Sequence, residues 1–487
     1  MSPTDPSTLV PRLRLSDRRR LVDVVTAAGP DGVRAFLDAL PGPRAPWAVE
    51  IAELLLPDPA LRAAVLPELG PALAALGDEP VWLLRGLAVA ARLRVADGAF
   101  TESEGLIAAL DQAARRVGEP FWIWLAPLLR VELALARGQA AEAAERSAAL
   151  LEQLAEPGAV PGEPSLQRLA LTHAVVALGA LGRFREMGLR LKALERFEGD
   201  TPLRAYHRAV LDRVRGRADL ATTGFLKVLA LADDQRDQGW SLEAALALAE
   251  LQPAEAAAWL GRARQLARDA DDADALWRVA LAELRTLLHQ GDYHRLRSGL
   301  ARLEGREDAD SLTLRAEALT AMSDPAAPDA VAALIQHAED QGLTGLASHA
   351  HLLAAQLVAA PAARAPHLRR ARDLAELCAD SGLLGRALAQ QALTQAEVGD
   401  AADAMASALR AEDLGRRHHR PELVALAQLA KGVAAQGLGH PAEAEGHLND
   451  CLATASQYGL PAVAVRAMRA LGRSEDADNL TARMLGG

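Results

Sequence analysis

The stretch GHPAEAEGHL, residues 439–448, turns a run of small and apolar residues into the start of a helix. Its core pattern, Gly-x-x-Ala-Glu-Ala, recurs as GQAAEA at 138–143 and, with Asp in place of Glu, as GDAADA at 399–404. Gly399 and Gly439, which open two of these stretches, lie 40 residues apart. Self-similarity at such a period is typical of a solenoid, in which each repeat stacks on the one before.

Helix geometry explains the residue types found in this turn. A glycine closes the first helix, because the residue after a helix end often takes a left-handed conformation that glycine adopts freely. Proline or alanine and an acidic residue then open the second helix, as Pro441 and Glu443 do. The pattern predicts equivalent turns, which we call anchors, at Gly98, Gly138, Gly182, Gly216, Leu251, Gly291, Pro325, residues 360–366, Gly399 and Gly439.

Two positions recur after the anchors and predict how the helices pack. A small residue lets two helices approach closely, and a larger apolar residue further on fills the neighbouring groove. The small residues are Ala143, Ala221, Ala256, Ala330, Ala404 and Ala444. The larger residues are Ile107, Leu191, Phe225, Leu260, Leu300, Leu334 and Leu448.

Composition points to an all-α protein. Half of the 487 residues are hydrophobic but only 3% are aromatic, so the interior is built from Ala, Leu and Val. Ala and Leu are among the best helix formers, and no sustained alternation of apolar and polar residues indicates a strand. A step of about 40 residues has room for two helices and two turns.

The clearest unit is WSLEAALALAELQPAEAAAWLGRARQLARD, residues 240–269, whose Trp240, Ala244, Ala247, Ala256, Leu260 and Ala263 carry large and small residues at tetratricopeptide-repeat spacing. The chain therefore resembles the tetratricopeptide-repeat family over roughly residues 76–460, with degenerate units and steps longer than the usual 34 residues or so. The resemblance implies an all-α, right-handed α-solenoid of stacked antiparallel helix pairs. It also implies a concave groove that receives a peptide or protein.

Domain boundaries follow from the repeat. Residues 1–75 lack a clear anchor and are predicted to form a helical cap. Residues 461–487 are predicted to form a C-terminal capping helix and tail. Caps are expected at both ends because a terminal repeat would otherwise expose an apolar face. The Pro/Gly-rich segment EPGAVPGEPS, residues 156–165, is either a long loop between repeats or a hinge between two sub-arrays.

Charge and termini narrow the class of partner. A formal net charge of −11 and a pI near 5.6 argue against direct nucleic-acid binding, which needs clustered Lys and Arg. The short basic runs at 18–20 and 416–420 are interpreted as solvated helix faces or helix C-termini. Cys378 and Cys451 are expected to be buried thiols. Without an apolar signal segment or membrane span, we expect a cytoplasmic protein that does not bind membranes.

No familiar catalytic or metal-binding motif occurs. The sequence lacks a phosphate-binding glycine loop, a His-Glu-x-x-His pair and a nucleophile elbow. His349 and His351 are too close in sequence to form a metal pair on one helix face, and His289 and His294 flank a turn where solvent exposure is favoured over metal binding. We expect no enzymatic activity, no cofactor and no metal ion.

Aromatic residues suggest where a partner binds. Fifteen of the sixteen lie at or before Tyr293, and three stand in FWIW, residues 121–124, where they cannot all face one core. Trp82 and Trp122 each precede an anchor by 16 residues. Large residues in repeat arrays are mostly packing, but tryptophan and arginine are enriched at binding hot spots. The predicted partner-binding residues are Trp82, Arg85, Arg92, Trp122, Trp124 and Arg130.

Two functions are consistent with these features. The first is a non-enzymatic interaction scaffold or adaptor that binds a protein or peptide in its concave groove. The alternative is a ligand-sensing or regulatory module of a bacterial signalling or transcription-control system. Self-association is also possible, since an incomplete cap can be buried against a second copy.

Overall fold

Helices follow one another in pairs through the computed structural model. The structure describes residues 33, 36–38, 44–54, 56, 59–77, 79–155, 164–197, 199–235, 237–303, 305, 307–418 and 420–485. These residues contain no strand. The predicted all-α, right-handed α-solenoid of stacked antiparallel helix pairs is confirmed.

The chain divides into two compact units, Met1–Ala177 and Leu178–Gly487. The described helices of the first unit include the pair that precedes residue 76, where a cap was predicted. They are α1 (Arg44–Leu54), α2 (Pro59–Ala75), α3 (Pro80–Ala96), α4 (Phe100–Val117), α5 (Pro120–Ala136), α6 (Ala140–Ala155) and α7 (Pro164–Ala180), the last of which runs across the boundary.

The second unit continues in the same way, with proline at the start of several helices, where its fixed φ suits the first turn. Its helices are α8 (Phe184–Leu194), α9 (Pro202–Val214), α10 (Ala218–Gln235), α11 (Gln238–Leu251), α12 (Ala256–Asp269), α13 (Ala273–Gln290), α14 (Tyr293–Leu300), α15 (Ala309–Ala321), α16 (Ala327–Asp340), α17 (Thr344–Leu357), α18 (Pro361–Cys378), α19 (Ser381–Glu397), α20 (Ala401–Arg417), α21 (Pro421–Gly437), α22 (Pro441–Gln457), α23 (Pro461–Ala470) and α24 (Ser474–Leu485).

Most of the predicted anchors fall at the turns between the two helices of a pair, but Leu251 ends α11 and residues 361–366 belong to α18. Gly98, Gly138 and Gly439 have φ of 73°, 74° and 75°, the left-handed conformation that makes glycine the favoured residue. At the turn near Pro325 the same conformation is taken by Ser323, with φ 54°. A further turn of this kind, at Gly472 between α23 and α24, was not predicted.

Packing follows the two recurring positions. The small residues are buried except for Ala330, and the larger ones except for Leu300, each of which is half-buried. Gly432 shows why a small residue is needed, since a Cβ there would lie 2.6 Å from Cγ of Leu448. Both cysteines are buried, as predicted.

The first helices of neighbouring pairs pack directly against one another, as α11 does with α13 and α13 with α15. The described second helices of neighbouring pairs make no comparable contact. Helices on the inner side of a curved array are closer together than those on the outer side. The first helices of each unit therefore line the concave side of that unit.

The ends of the array differ from expectation in one respect. The predicted amphipathic capping helix is present as α23, but the segment expected as a tail forms α24. Met484 of α24 packs against the apolar cluster around Leu296 of α14. The predicted hinge or loop lies mostly outside the described residues, since only Pro164 and Ser165 are described and they begin α7.

Candidate functional site

Charged side chains form a row along the concave side of the second unit. Arg213 of α9 pairs with Glu250 of α11 at 2.8 Å, and the same carboxylate accepts from Arg285 of α13 at 3.0 Å. Positive and negative charges thus alternate from one first helix to the next. We call this the Arg213 row.

A second row runs beside the first. Its members, Tyr206, Glu243, Arg278 and Asp310, each stand seven residues before a member of the Arg213 row on the same helix. Seven residues are about two helical turns, so both rows lie on one face. Arg278 pairs with Glu243 at 2.6 Å. We call this the Tyr206 row, and the two rows together the charged face.

The Arg213 row continues through Glu317 of α15, His349 of α17 and Arg386 of α19. Nε2 of His349 lies 2.8 Å from the carboxylate of Glu317. Burial opposes the charge of this carboxylate, but the hydrogen bond and charge of His349, together with the charges of Arg285 and Arg386, lower the pKa of Glu317 to about 2. The carboxylate is therefore ionised throughout the neutral range.

The charged face lines a cavity of about 210 Å³. Tyr206 stands at its edge, with its ring 5.4 Å from that of Phe225 and 5.2 Å from that of Trp240. Burial, and to a smaller extent the charge of Glu243, raise the pKa of Tyr206 to about 12, so its hydroxyl stays protonated. The cavity offers fixed charges of both signs and one hydroxyl, which suits hydrogen bonding to a polypeptide.

A larger cavity, of about 580 Å³, lies where α15, α17 and α19 end. Arg364 bridges its wall, donating to the carbonyl of Val358 at 2.6 Å and pairing with Glu397 at 2.6 Å. Arg466 of α23 also lines it, and burial lowers the pKa of this guanidinium. No hydrogen bond or ion pair joins Arg466 to another described residue.

In the first unit, two of the predicted arginines pair with the protein's own carboxylates. Arg85 contacts Glu50 at 2.6 Å and Glu53 at 2.5 Å, and its guanidinium lies over the ring of Trp82 at 5.1 Å. Arg92 forms a two-pronged pair with Glu132 of α5, at 2.9 and 2.8 Å. Both arginines stand on α3 and pair with carboxylates of neighbouring first helices, as the charged side chains of the two rows do in the second unit.

The structure does not bring Arg130 together with Arg85 and Arg92. Its guanidinium points instead toward α4, at 3.6 Å from both Glu104 and Asp111. The reason is helical geometry, because Arg130 stands two residues from Glu132 and so points about 200° away from it around the helix.

The three predicted tryptophans, Trp82, Trp122 and Trp124, are half-buried. Trp122 packs edge-to-face on Phe121 with ring centroids 5.2 Å apart, and Trp82 packs against the core around Trp47. The rings of Trp82 and Trp122 thus combine packing with a surface that water reaches.

Sequence reasoning missed the charged face, although a signal was available. Glu243 and Arg278 are 35 residues apart, as are Glu250 and Arg285, so the sign of the charge changes with the repeat.

Two observations bear on other classes of site. No group of three or more His, Cys, Asp or Glu that could hold a metal ion occurs among the described residues. Within the same residues, no helix is long and apolar enough to cross a bilayer.

Comparison with known proteins gives the fold. No protein-family model matches the chain, and no curated protein does. Among solved structures it is similar to the crystal structure of the APC/C hetero-tetramer Cut9–Hcn1, with a TM-score of 0.55, 13% identity and coverage of 99% of this chain and 98% of that chain. A second match is a Rap protein complexed with competence and sporulation factor, with a TM-score of 0.34, 12% identity and coverage of 74% of this chain and 99% of that chain. A third is the pentatricopeptide repeat protein PPR10 from maize, with a TM-score of 0.22, 12% identity and coverage of 99% of this chain and 94% of that chain. The chain is thus a helical-repeat array with a tetratricopeptide-repeat-like fold.

Proposed function

We propose that this protein is a non-enzymatic scaffold or adaptor that binds a protein or peptide along its concave side. The observation that carries the proposal is the charged face of the second unit, where two rows of fixed charges run along successive first helices. A polypeptide laid across them exchanges its own charged side chains for the protein's ion pairs at each step, and solenoids offer such extended surfaces.

The first unit is proposed to contribute anchors of a different kind. Trp82, Trp122 and Trp124 supply aromatic area, and they can bind a partner without first losing an ion pair. Arg85, Arg92 and Arg130 would have to exchange the protein's carboxylates for those of a partner, and such an exchange gives orientation more than affinity. The tryptophans are therefore the stronger anchors of the six.

The test is affinity purification from the native cell with paired variants. Arg278→Gln with Arg285→Gln removes two cations from the charged face. Arg416→Gln with Arg417→Gln makes the same change of charge on exposed side chains of α20. We expect a partner to be lost from the first variant alone, with circular dichroism showing that both stay helical. A partner list that is the same for both would overturn the charged face as the binding surface.

A second function, ligand sensing in a regulatory system, is favoured by the cavity that Arg466 lines, since its volume of about 580 Å³ is in the range of small-molecule sites. A small anionic molecule bound there would raise the melting temperature in the absence of any protein partner. The rise should disappear in Arg466→Gln. A screen of small carboxylates that leaves the melting temperature unchanged would count against sensing at this cavity.

We also propose a cytoplasmic location, which two buried thiols in place of a disulfide support. The net charge of −11 supports a protein partner over direct nucleic-acid binding. Homo-oligomerisation stays a proposal, and light scattering across a range of protein concentrations would test it.

A further inference from the structure

Within the second unit, the turn after α9 contacts helices that come much later in the chain. The guanidinium of Arg420, at the start of α21, donates to the carbonyl of Arg213 at 2.7 Å across 207 residues. The hydroxyl of Ser381, at the start of α19, donates to the carbonyl of Val214 at 2.9 Å across 167 residues. The last carbonyls of α9 are therefore capped by a distant part of the array.

Glycine makes this contact possible. A Cβ on Gly216 would lie 2.1 Å from Cβ of His418 and 2.8 Å from its carbonyl oxygen, so any larger residue would push the two segments apart. We call this contact of residues 213–216 with Ser381, His418 and Arg420 the clasp.

Two further turns of the same unit also meet later helices. A Cβ on Gly182, in the turn before α8, would lie 3.0 Å from the backbone nitrogen of Gly345 in α17. Gly291, in the turn before α14, lies against Pro461 of α23 and Met484 of α24. The second unit thus coils until its later pairs touch the turns of its earlier ones, and the clasp is the polar member of these contacts.

Coiling places charges from distant pairs near one another. The charge of Arg386 on α19 acts on Glu317 of α15 and on His289 of α13. The two rows line the cavity of about 210 Å³, which we call the channel, and Arg213, whose carbonyl the clasp caps, is one of its lining residues. A folded domain does not fit a cavity of about 210 Å³, whereas an extended segment does.

The clasp differs from the rest of the unit in how it is held. The pairs are held by buried alanine and leucine, as in the cluster around Leu429 and Leu448. The clasp is held by hydrogen bonds to carbonyls, for which water can substitute when the contact opens. It can therefore open while the helix pairs stay folded, as local openings of native proteins do.

We propose that the clasp gates the channel of the second unit and that an extended polypeptide segment enters when the clasp opens. This rests on the proposed function for what enters. The gate itself is tested without a partner, so its failure and a failure of partner binding are separate results.

The experiment measures access to a cysteine inside the channel. Asp310→Cys replaces a member of the Tyr206 row that is well exposed to water, and Ser298→Cys places a reference thiol on the exposed face of α14. The native cysteines are buried, and burial raises the pKa of each to about 11, so they react slowly. Labelling rates are compared for a small maleimide and for a maleimide on a long polyethylene glycol chain.

Two glycine variants then distinguish opening of the clasp from backbone strain as the cause of faster labelling. Gly216→Ala and Gly439→Ala both force alanine into a left-handed turn, with φ of 74° and 75°, but only Gly216 has a neighbour within 4 Å. We expect Gly216→Ala to speed polymer-maleimide labelling of Asp310→Cys by about tenfold, which is the effect of losing one charged hydrogen bond. Gly439→Ala and all rates at Ser298→Cys should stay unchanged.

Two results would overturn the gate. One is equal polymer labelling of the two cysteines before any clasp substitution, which would mean an open channel. The other is equal rates for Gly216→Ala and Gly439→Ala. If Gly216→Ala loses helix content, Arg420→Ala is used in its place. Arg417→Ala is then the control, because Arg417 is exposed and its ion pair is with Asp413 of its own helix.

Discussion

The two units follow one repeat but finish their concave sides differently. In the first unit, half-buried tryptophans stand beside arginines that are already paired, as Trp82 does beside Arg85. In the second, two rows of alternating charge line a space that the clasp closes. The repeat requires small and large residues only at the helix interfaces, so the remaining face of each first helix is free to specialise.

If the units are as separate as their packing indicates, each should lose stability by itself. Trp47 is 6% exposed in the core of the first unit, and Phe225 is fully buried in the second. Replacing either by alanine should cost about 3–5 kcal/mol, because it removes an aromatic side chain and leaves a cavity. Trp47→Ala should lower only the melting of residues 1–177 in calorimetry with hydrogen exchange, and Phe225→Ala only that of 178–487.

A uniform fall in protection over both ranges for either substitution would contradict this separation. Leu220→Ala serves as the control in the second unit, because this side chain is 53% exposed and its removal should leave the melting of both ranges unchanged.

Acid should affect the second unit more than the first. Burial lowers the pKa of His207 from 6.5 to about 4, so the folded protein holds the ring neutral while the unfolded chain protonates it. The stability present above pH 6.5 is lost as the pH falls toward 4, by about 3 kcal/mol in total. Burial also lowers the pKa of His173 in the first unit, but the charge of Glu132 opposes that shift.

The measurement is urea unfolding of the second unit at about pH 7 and about pH 5, with His207→Leu beside the unsubstituted protein. The substitution should flatten the dependence on pH, since it removes the titrating ring. An equal loss of stability in both proteins would assign the acid sensitivity to other groups.

The strain of the turns should be the same in both units. Gly138 of the first and Gly439 of the second have φ of 74° and 75°, and neither has a neighbour within 4 Å where a Cβ would stand. Alanine at either position should cost about 1–2 kcal/mol, the penalty of a left-handed conformation. Thermal unfolding of the two variants checks this, and a clearly larger loss at one turn would show that the turns are not equivalent.

The fold was predictable because its determinants are local and repeated. Gly98, Gly138 and Gly439 mark turns by their own conformational freedom, and Phe225 or Leu448 mark packing by their distance from an anchor. The turn at Ser323 contains no glycine, and the anchor predicted there, Pro325, was placed by its spacing from the neighbouring anchors.

The candidate site was less predictable because it depends on direction and on distant contacts. A difference of two residues, between Arg130 and Glu132, decides which side of α5 a charge occupies. The basic run at 416–420 was interpreted as a solvated helix face or a helix C-terminus, which describes Arg416 and Arg417 at the end of α20, but Arg420 donates to the carbonyl of Arg213, 207 residues away. No local pattern in the sequence reports how far the second unit coils before its later helices meet its earlier turns.

The smallest effect should separate the ion pairs of the two units. Arg92 and Glu132 join through two hydrogen bonds and are 33% and 18% exposed, whereas Arg213 and Glu250 join through one and are 37% and 32% exposed. A double-mutant cycle with glutamine should give a coupling of about 1 kcal/mol for the first pair and about 0.5 kcal/mol for the second, since two-pronged, less exposed pairs are stronger. Raising the salt concentration should weaken the second coupling more, because water and ions reach it more readily. Equal couplings would mean that the charged face is as tightly paired as the first unit, and its charges would then be less available to a partner than we propose.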